Sequence, residues 1–162
     1  MKNFAEIIQM PKGANLDGGD VVFFDDKYLI GRSTRTNKAG AEFLESHVNK
    51  DGYDVEFIEV PNSTLHLTTV CSSPRKGTII AAEGHLKENQ ISKFAEEIIW
   101  IPNNESYASN TIGYSNDRLI IAAGFSKTKN ILQNEGFKLM SVDMAPIMQA
   151  DGSLTCLSVY TS

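Results

Sequence analysis

The chain lacks the features that mark several common classes of protein. Its 162 residues include only 2 cysteines, 3 histidines and 1 tryptophan, and its formal net charge at pH 7 is −5. A negative net charge does not indicate nucleic-acid binding, which is typical of chains with a basic surface. No run of basic residues forms a membrane-binding patch. No segment approaches the roughly 18 apolar residues of a membrane span. We therefore expect neither nucleic acid nor a membrane as a partner.

The cysteines and the first ten residues bear on metal binding and on the compartment. Cys71 and Cys156 do not form a CxxC pair and no HxxxH spacing accompanies them, so a metal site is not expected. Residues 1–10 include Glu6 and lack the apolar stretch of a secretion signal. We expect a cytoplasmic protein with free thiols, in which Cys71 is buried at the end of an apolar strand.

What the sequence does contain is a repeat. After a lead-in at 1–15, the order strand, strand, helix, strand recurs in three units, at 16–60, 61–102 and 103–142. Residues 143–162 follow, and a strand at 154–159 just after the Asp151-Gly152 turn opens a fourth unit. We predict a single α/β domain of repeated ββαβ units, in which like positions of successive units face a common axis.

The predicted elements of the three units follow from apolar periodicity and from turn residues. The first strands are placed at 21–24, 65–71 and 108–114, the second at 28–31, 78–82 and 119–123, and the third at 55–60, 98–101 and 137–142. A turn that carries Pro74 is placed at 72–76. The helices are placed at 37–49, 88–96 and 126–134, and Ser126 is predicted as the N-cap of the last one.

Four polar residues occupy similar places near the first strand of successive units. They are Asp17, His66, Asn110 and Cys156, and neighbours in this series lie 44 to 49 residues apart. In a propeller-like arrangement of the units, these side chains would converge at one pole. Small polar residues also begin strands for purely structural reasons, and that alternative stays open.

Three of these side chains suit nucleophilic catalysis. A cysteine thiolate is the nucleophile, an imidazole can pair with it and move protons, and an acid can orient the imidazole. Cys156, His66 and Asp17 fit these roles in that order. Each also has a structural reading: a small buried hydrophobe, a core histidine and a turn residue. Asp20, which follows the two glycines after Asp17, is interpreted as structural.

Several stretches, in order and at similar spacing, resemble one family of enzymes. They are 16–23 (LDGGDVVF), 31–37 (GRSTRTN), 65–67 (LHL), 108–110 (ASN) and 151–159 (DGSLTCLSV). Together they resemble dimethylarginine dimethylaminohydrolase, of the pentein or guanidine-modifying superfamily. The resemblance implies a five-bladed α/β propeller of ββαβ units around a central site, of which this chain would form about three blades and the opening strand of another.

The resemblance also implies a reaction and roles for named residues. Cys156 would attack the guanidinium carbon of a methylated arginine, methylamine or dimethylamine would leave, and water would release citrulline from a thiouronium adduct. His66 would protonate the leaving amine and then activate the water, and Asp17 would orient His66. No metal or organic cofactor is implied, and the ligand is a small guanidine.

The substrate-binding residues are likewise carried over by resemblance. Arg35 would hold the α-carboxylate of the substrate, a task that suits a planar guanidinium. Ala150 and Asp151 would border the substrate beside the cysteine, and Asn110 would lie at the same pole. The structural alternative for Arg35 is an exposed cation just before a helix.

The chain departs from the family in length. Relatives carry roughly two further blades before this region, and those blades supply acids that hold the guanidinium and a second carboxylate-binding arginine. Nothing in residues 1–15 matches them. We therefore expect a homo-oligomer or association with a missing N-terminal half.

The residue two positions after His66 helps to identify the branch of the superfamily that the chain resembles. Deiminases and amidinotransferases resemble one another in a His-x-Asp motif, whereas this chain has Thr68. This favours the methylarginine-hydrolase branch and leaves an amidinotransferase or another guanidine hydrolase as the alternative. A reading of another class, an inactive half-propeller that serves as an assembly or binding module, also stays open.

Overall fold

A computed structural model describes residues 7–158 and contains three consecutive ββαβ units. The first consists of β1 (Val21–Phe24), β2 (Lys27–Arg32), α1 (Lys38–Val48) and β3 (Asp54–Glu59). The second consists of β4 (Cys71–Arg75), β5 (Thr78–Ala82), α2 (Glu88–Ile91) and β6 (Glu97–Ile101). The third consists of β7 (Ile112–Tyr114), β8 (Arg118–Ala122), α3 (Ser126–Asn134) and β9 (Lys138–Val142), and a short helix, α4 (Ala145–Met148), follows.

Each unit forms one three-stranded sheet with the same topology. The second strand lies in the middle, antiparallel to the first and parallel to the third. The first two strands can be joined by a tight turn, whereas the parallel pair needs a crossover, which the helix provides. The predicted α/β fold of repeated ββαβ units is therefore confirmed. In the part of the chain that the structure describes, no helix is long and apolar enough to cross a membrane.

The hydrophobic core lies between successive sheets. Neighbouring residues of the middle sheet face opposite ways, because side chains alternate along a strand. Ile79 packs in a cluster with the first sheet, and Ile80 packs in a cluster with the third. The helices α2 and α3 contribute Ile91 and Leu132 to these two clusters. The sheets thus stack like blades, and their first strands form an inner row, with contacts between β1 and β4 and between β4 and β7.

Two of the predicted first strands are placed wrongly. In the second unit, Leu67–Thr69 forms a 3₁₀ turn and the strand begins only at Cys71, so that Pro74 lies in the strand and not in the turn. The register of β4 is irregular between Ser72 and Arg75, which accommodates a proline that cannot donate a ladder hydrogen bond. In the third unit, a 3₁₀ segment at Asn103–Ser109 precedes a strand of only three residues.

Two of the predicted helices also differ in detail. The second ends at Ile91, and the 92–96 part of the prediction is not helical. In the third, Ser126 is the first helical residue and makes no capping hydrogen bond, so its prediction as the N-cap was wrong. The carboxylate of Glu105, from the preceding 3₁₀ segment, takes that place. It accepts hydrogen bonds from the Thr128 amide and hydroxyl, both at 2.7 Å, and from the Lys127 amide at 3.3 Å.

Asp20 connects the first unit to the segment that enters the second. Its carboxylate is 0% exposed and accepts hydrogen bonds from the hydroxyls of Ser33 and Thr36, both at 2.6 Å, and from the Leu67 amide at 2.9 Å. Gly31 makes this approach possible, because a Cβ there would come within 2.7 Å of the Asp20 carboxylate. Three donors thus stabilise a buried charge that would otherwise be costly.

Replacing Asp20 by asparagine should destabilise the fold. An amide group has only one acceptor oxygen, so at least one of the three donors would face an NH₂ group and stay unsatisfied. We expect the free energy of unfolding in urea to fall by about 3 kcal/mol. Asp26→Asn is the matched control, because the Asp26 side chain is 85% exposed. Equal stabilities of the two variants would contradict the role of Asp20.

Glu105 should make stability depend on pH. Burial by itself raises the pKa of Glu105, but the hydrogen bonds from Thr128 and Lys127 outweigh it and hold the pKa below its usual value. The folded state therefore binds fewer protons, and the stabilisation is present above about pH 4.5 and is lost as pH falls through the folded-state pKa.

The Glu105→Gln variant should be less stable at pH 7 by about 1–3 kcal/mol and should lose less stability than the wild type on acidification. Urea titrations between pH 3 and pH 7 measure both effects. Glu83→Gln, at an exposed turn position, is the control. Parallel stability curves for the wild type and Glu105→Gln would refute the assignment.

Candidate active site

One large cavity, of about 1430 Å³, opens along the inner row of first strands. Asp17, His66 and Cys156 all line it, although they come from segments far apart in the sequence. The aromatic side chains of Phe23, Tyr28 and Tyr53 form part of its wall. The structure thus brings together three of the four polar residues that recur in the repeat. Among residues 7–158, no group of three or more His, Cys, Asp or Glu side chains could hold a metal ion.

Asp17 begins the 3₁₀ turn that leads into β1. One carboxylate oxygen accepts a hydrogen bond from the Gly19 amide at 2.9 Å, and the other lies 3.5 Å from the guanidinium of Arg35. The Asp17 amide in turn donates to the hydroxyl of Thr36, which also donates to Asp20. The position of Asp17 therefore depends on the same hydrogen-bond network as the buried Asp20.

His66 lies flat against the backbone of Gly19. A Cβ at Gly19 would come within 2.7 Å of the imidazole Cγ and closer still to Cδ2 and Nε2, so only glycine leaves room for the ring. His66 is 8% exposed, and its Nδ1 has no hydrogen-bond partner among the described residues. The structure therefore shows no hydrogen bond from the His66 imidazole to the Asp17 carboxylate, and the orienting role of Asp17 stays a prediction.

The segment that carries Cys156 differs from its prediction. Thr155–Leu157 is a 3₁₀ turn, so the predicted strand is wrong as far as residue 157, and Val159 lies outside the described residues. In the turn before it, Asp151, and not Gly152, has the positive φ, of 57°. Gly152 is required for a close approach, because a Cβ there would come within 2.7 Å of the Ile147 side chain.

Asn110 anchors this segment to the rest of the molecule. It is buried, and its side-chain oxygen accepts from the Thr155 amide at 3.1 Å. Its NH₂ group donates to the Thr155 hydroxyl at 2.9 Å and to the Thr68 carbonyl at 2.6 Å. The oxygen and both amide protons of its side chain are thus engaged with the protein. The structure places Asn110 behind the cavity wall and not among the lining residues.

Two further residues that support the site were not found in the sequence. Tyr107 donates from its hydroxyl to the Gly152 carbonyl at 2.8 Å, and burial together with the nearby Cys156 raises its pKa. Ser153 is 4% exposed, and its hydroxyl lies 3.4 Å from the Cys156 sulfur. Tyr107 is 45 residues from its partner, and no local pattern indicates such a contact. Ser153 lies within the motif around Cys156, so its proximity could have been inferred.

The residues predicted to bind the substrate lie at the edge of the site. Arg35 has a half-exposed side chain and lines a smaller cleft of about 510 Å³, which shares Asp17 with the main cavity. Ala150 and Asp151 are exposed in the turn before Cys156 and do not line the main cavity. None of these three side chains contacts the space between His66 and Cys156 directly.

Comparison with known proteins shows which enzymes the chain is similar to. No protein-family model matches the chain. Its sequence is 30% identical over 154 residues to N(G),N(G)-dimethylarginine dimethylaminohydrolase of Pseudomonas aeruginosa, which covers 95% of this chain and 58% of that relative. A solved structure of the Pseudomonas aeruginosa enzyme, a cysteine-to-serine mutant in complex with citrulline, superposes with a TM-score of 0.81 at 28% identity and covers 90% of this chain and 56% of that one. These comparisons support the pentein superfamily for this chain.

Within the pentein superfamily, the sequence is dimethylarginine dimethylaminohydrolase-like. An amidinotransferase of the saxitoxin biosynthetic pathway from Microseira wollei shares the fold, with a TM-score of 0.79 at 21% identity over 92% of this chain and 50% of that one. The chain thus spans between 50% and 58% of the length of these pentein proteins.

The two thiols should differ strongly in reactivity. Cys71 is 2% exposed, and burial raises its pKa to about 12, so it stays protonated and covered. Cys156 is exposed at the cavity. We expect iodoacetamide at pH 7.5 to alkylate Cys156 at least about 100-fold faster than Cys71, as followed by peptide mass spectrometry.

In 8 M urea both cysteines should react, which serves as the control for the alkylation itself. Comparable rates for Cys71 and Cys156 in the folded protein would contradict the different environments of the two thiols.

Proposed function

We propose that this chain carries the nucleophile-bearing part of a hydrolase that converts N-ω-methylated arginines to citrulline and methylamine or dimethylamine. The observation that carries the proposal is that Asp17, His66 and Cys156 line one cavity. The 30% identity to the Pseudomonas aeruginosa enzyme supports the choice of substrate class. In broader terms, we propose a guanidine-modifying enzyme of the pentein superfamily.

In the first half of the reaction, the Cys156 thiolate attacks the guanidinium carbon and forms a carbon–sulfur bond. The bond from that carbon to the methylated nitrogen breaks, and the departing amine takes a proton from the imidazolium of His66. The product of this step is a thiouronium adduct on Cys156. The cavity around the sulfur is open enough for the side chain of an arginine to enter.

In the second half, His66 removes a proton from a water molecule that attacks the same carbon. The carbon–sulfur bond then breaks, the remaining hydroxyl proton passes to the released amine or to solvent, and citrulline leaves. The thiolate is restored, and His66 is protonated as it was at the start of the cycle. The close contact of the imidazole with Gly19 suits this role, because it limits the positions that the ring can take.

Asp17 and Arg35 would assist at the mouth of the cavity. Asp17 lines both the main cavity and the smaller cleft, and its carboxylate lies beside Arg35. Arg35 is half-exposed, and the donors of its guanidinium that do not face Asp17 would hold the α-carboxylate of a substrate that reaches from one space into the other. The exposed turn of Ala150 and Asp151 would border the substrate, and Asn110 would keep the cysteine segment in place.

The complete site would also need groups that grip the guanidinium, and we propose that association supplies them. The outer face of the third sheet exposes Tyr114, Met140 and Val142, and Met148 of α4 is exposed as well. Exposed apolar side chains on a sheet favour contact with further polypeptide. A second copy of this chain or a complementary N-terminal half could provide it.

The association can be measured by size-exclusion chromatography with light scattering. We expect the chain alone to be larger than its 17.8 kDa monomer mass at 50 μM. The Met140→Lys variant should shift the distribution toward the monomer, because it places a charge on the apolar face. A monodisperse wild-type monomer at this concentration would contradict homo-oligomer formation.

An amidinotransferase is the alternative within the superfamily. In that reaction an amine, and not water, would attack the adduct on Cys156. The neutral Thr68, two residues after His66, has no charge with which to bind a cationic group, which favours the hydrolase.

The function is tested by citrulline formation from asymmetric dimethylarginine, with Cys156→Ser as the matched variant. We expect measurable turnover by the associated wild type, and a loss of at least about 1000-fold in the variant, because a serine hydroxyl is a far weaker nucleophile than a thiolate. Cys71→Ser, at a thiol outside the reaction, should retain turnover if it folds. Citrulline formation that persists in Cys156→Ser would refute the nucleophile assignment.

A further inference from the structure

The sulfur of Cys156 lies beside a hydroxyl group that the reaction does not use. The Ser153 Oγ is 3.4 Å from the Cys156 Sγ, within the range of a hydrogen bond to sulfur. Ser153 is 4% exposed, so little water reaches this hydroxyl. A buried hydroxyl needs protein partners for its donor and acceptor groups.

The contact continues away from the sulfur as a chain of hydrogen bonds. The Thr155 Oγ1 lies 3.4 Å from the Ser153 Oγ, and the Asn110 Nδ2 lies 2.9 Å from the Thr155 Oγ1. The other proton of the Asn110 amide goes to the Thr68 carbonyl at 2.6 Å. Three side chains, those of Asn110, Thr155 and Ser153, therefore connect the Thr68 carbonyl to the sulfur of Cys156.

The chemistry of the two ends determines the direction of these hydrogen bonds. The Asn110 NH₂ group can only donate, so the Thr155 hydroxyl accepts from it. A thiolate can only accept, so the Ser153 hydroxyl must donate to it once Cys156 is ionised. The Thr155 hydroxyl then has its own proton left, and the Ser153 oxygen is the acceptor within reach. Ionisation of Cys156 thus aligns all three bonds toward the sulfur.

We propose that Asn110, Thr155 and Ser153 form a directional hydrogen-bond relay that stabilises the thiolate of Cys156. Ser153 contacts the sulfur directly, and Thr155 and Asn110 are positioning residues that act through it. The inference rests on the proposed function, since it concerns the same nucleophile. Hydrogen bonds to a charged group are roughly twice as strong as neutral ones, and aligned bonds strengthen one another.

Other titratable and charged groups line the same cavity as Cys156 or lie beside its segment, and they must be held constant in a test of the relay. They are His66 and Asp17 across the cavity, Tyr107 beneath the preceding turn, and Asp25, Asp26, Arg75 and Lys76 at the far end of the cavity. None of them is changed by substitutions at Ser153 or Thr155, so a difference between variants reports on the relay.

The test is the rate at which iodoacetamide alkylates Cys156 between pH 5 and pH 10, followed on the Cys156 peptide by mass spectrometry. We expect Ser153→Ala to move the midpoint of the pH–rate profile to higher pH, to lower the rate at pH 7 by about tenfold and to leave the plateau at high pH unchanged. Thr155→Val, which removes a hydroxyl that does not touch the sulfur, should move the midpoint in the same direction by a smaller amount. Thr155→Ser retains the hydroxyl and should restore the wild-type profile.

Ser158→Ala is the neighbouring control, because its hydroxyl donates to the Leu154 carbonyl and lies outside the relay. Its profile should match that of the wild type.

Coincident profiles for the wild type and Ser153→Ala would overturn the proposal. A lower plateau with an unchanged midpoint would also overturn it, because that result indicates altered access to the sulfur. If Thr155→Val does not fold, Ser153→Ala decides alone. Because alkylation needs no turnover, failure of the relay and failure of the citrulline assay are distinguishable.

Discussion

The carboxylate of Asp20 connects the parts of the structure on which the site depends. It is fully buried and accepts hydrogen bonds from the loop after β2, through Ser33 and Thr36, and from the Leu67 amide next to His66. Asp17 and the Gly19 surface under the His66 ring belong to the same short turn as Asp20. One buried charge therefore determines where the imidazole lies relative to the first unit. Because its three donors come from two separate segments, the first and second units cannot shift independently at this point.

A second set of buried polar groups does the same for Cys156. Asn110 binds the Thr155 backbone and hydroxyl, and Tyr107 binds the Gly152 carbonyl. Tyr107 lies in the 3₁₀ segment between the second and third units, and Asn110 directly follows it. Glu105 of the same segment caps α3. The cysteine segment has no strand partner among the described residues up to 157, so these side-chain contacts replace the ladder hydrogen bonds that a strand would supply. The histidine and the cysteine are thus held by different networks that meet at one cavity.

The sequence was informative wherever local pattern and tertiary packing agree. The strand at Thr78–Ala82 and the β1–β2 hairpin were predicted closely. The apolar residues of Thr78–Ala82 pack on both sides in the core, and Val22, Phe24 and Leu29 of the hairpin pack in one core cluster. The first strand of the second unit and the strand around Cys156 were misplaced for one shared reason. Beside His66, the Leu67 amide donates to the buried side chain of Asp20, 47 residues away. Beside Cys156, the Thr155 amide donates to the buried side chain of Asn110, 45 residues away. In both places these hydrogen bonds favour a 3₁₀ turn over the strand that the β-prone residues predict. Intrinsic preference could not reveal acceptors so distant in the chain.

The claim that Asp20 holds His66 in place is tested most directly by hydrogen exchange at the Leu67 amide, measured by NMR in the folded protein. This amide donates to the buried Asp20 carboxylate at 2.9 Å, in a segment with little regular secondary structure. The account predicts that it exchanges only through global or near-global unfolding, as core strand amides do. Exchange at the rate of an exposed loop amide, while β5 stays protected, would contradict the account.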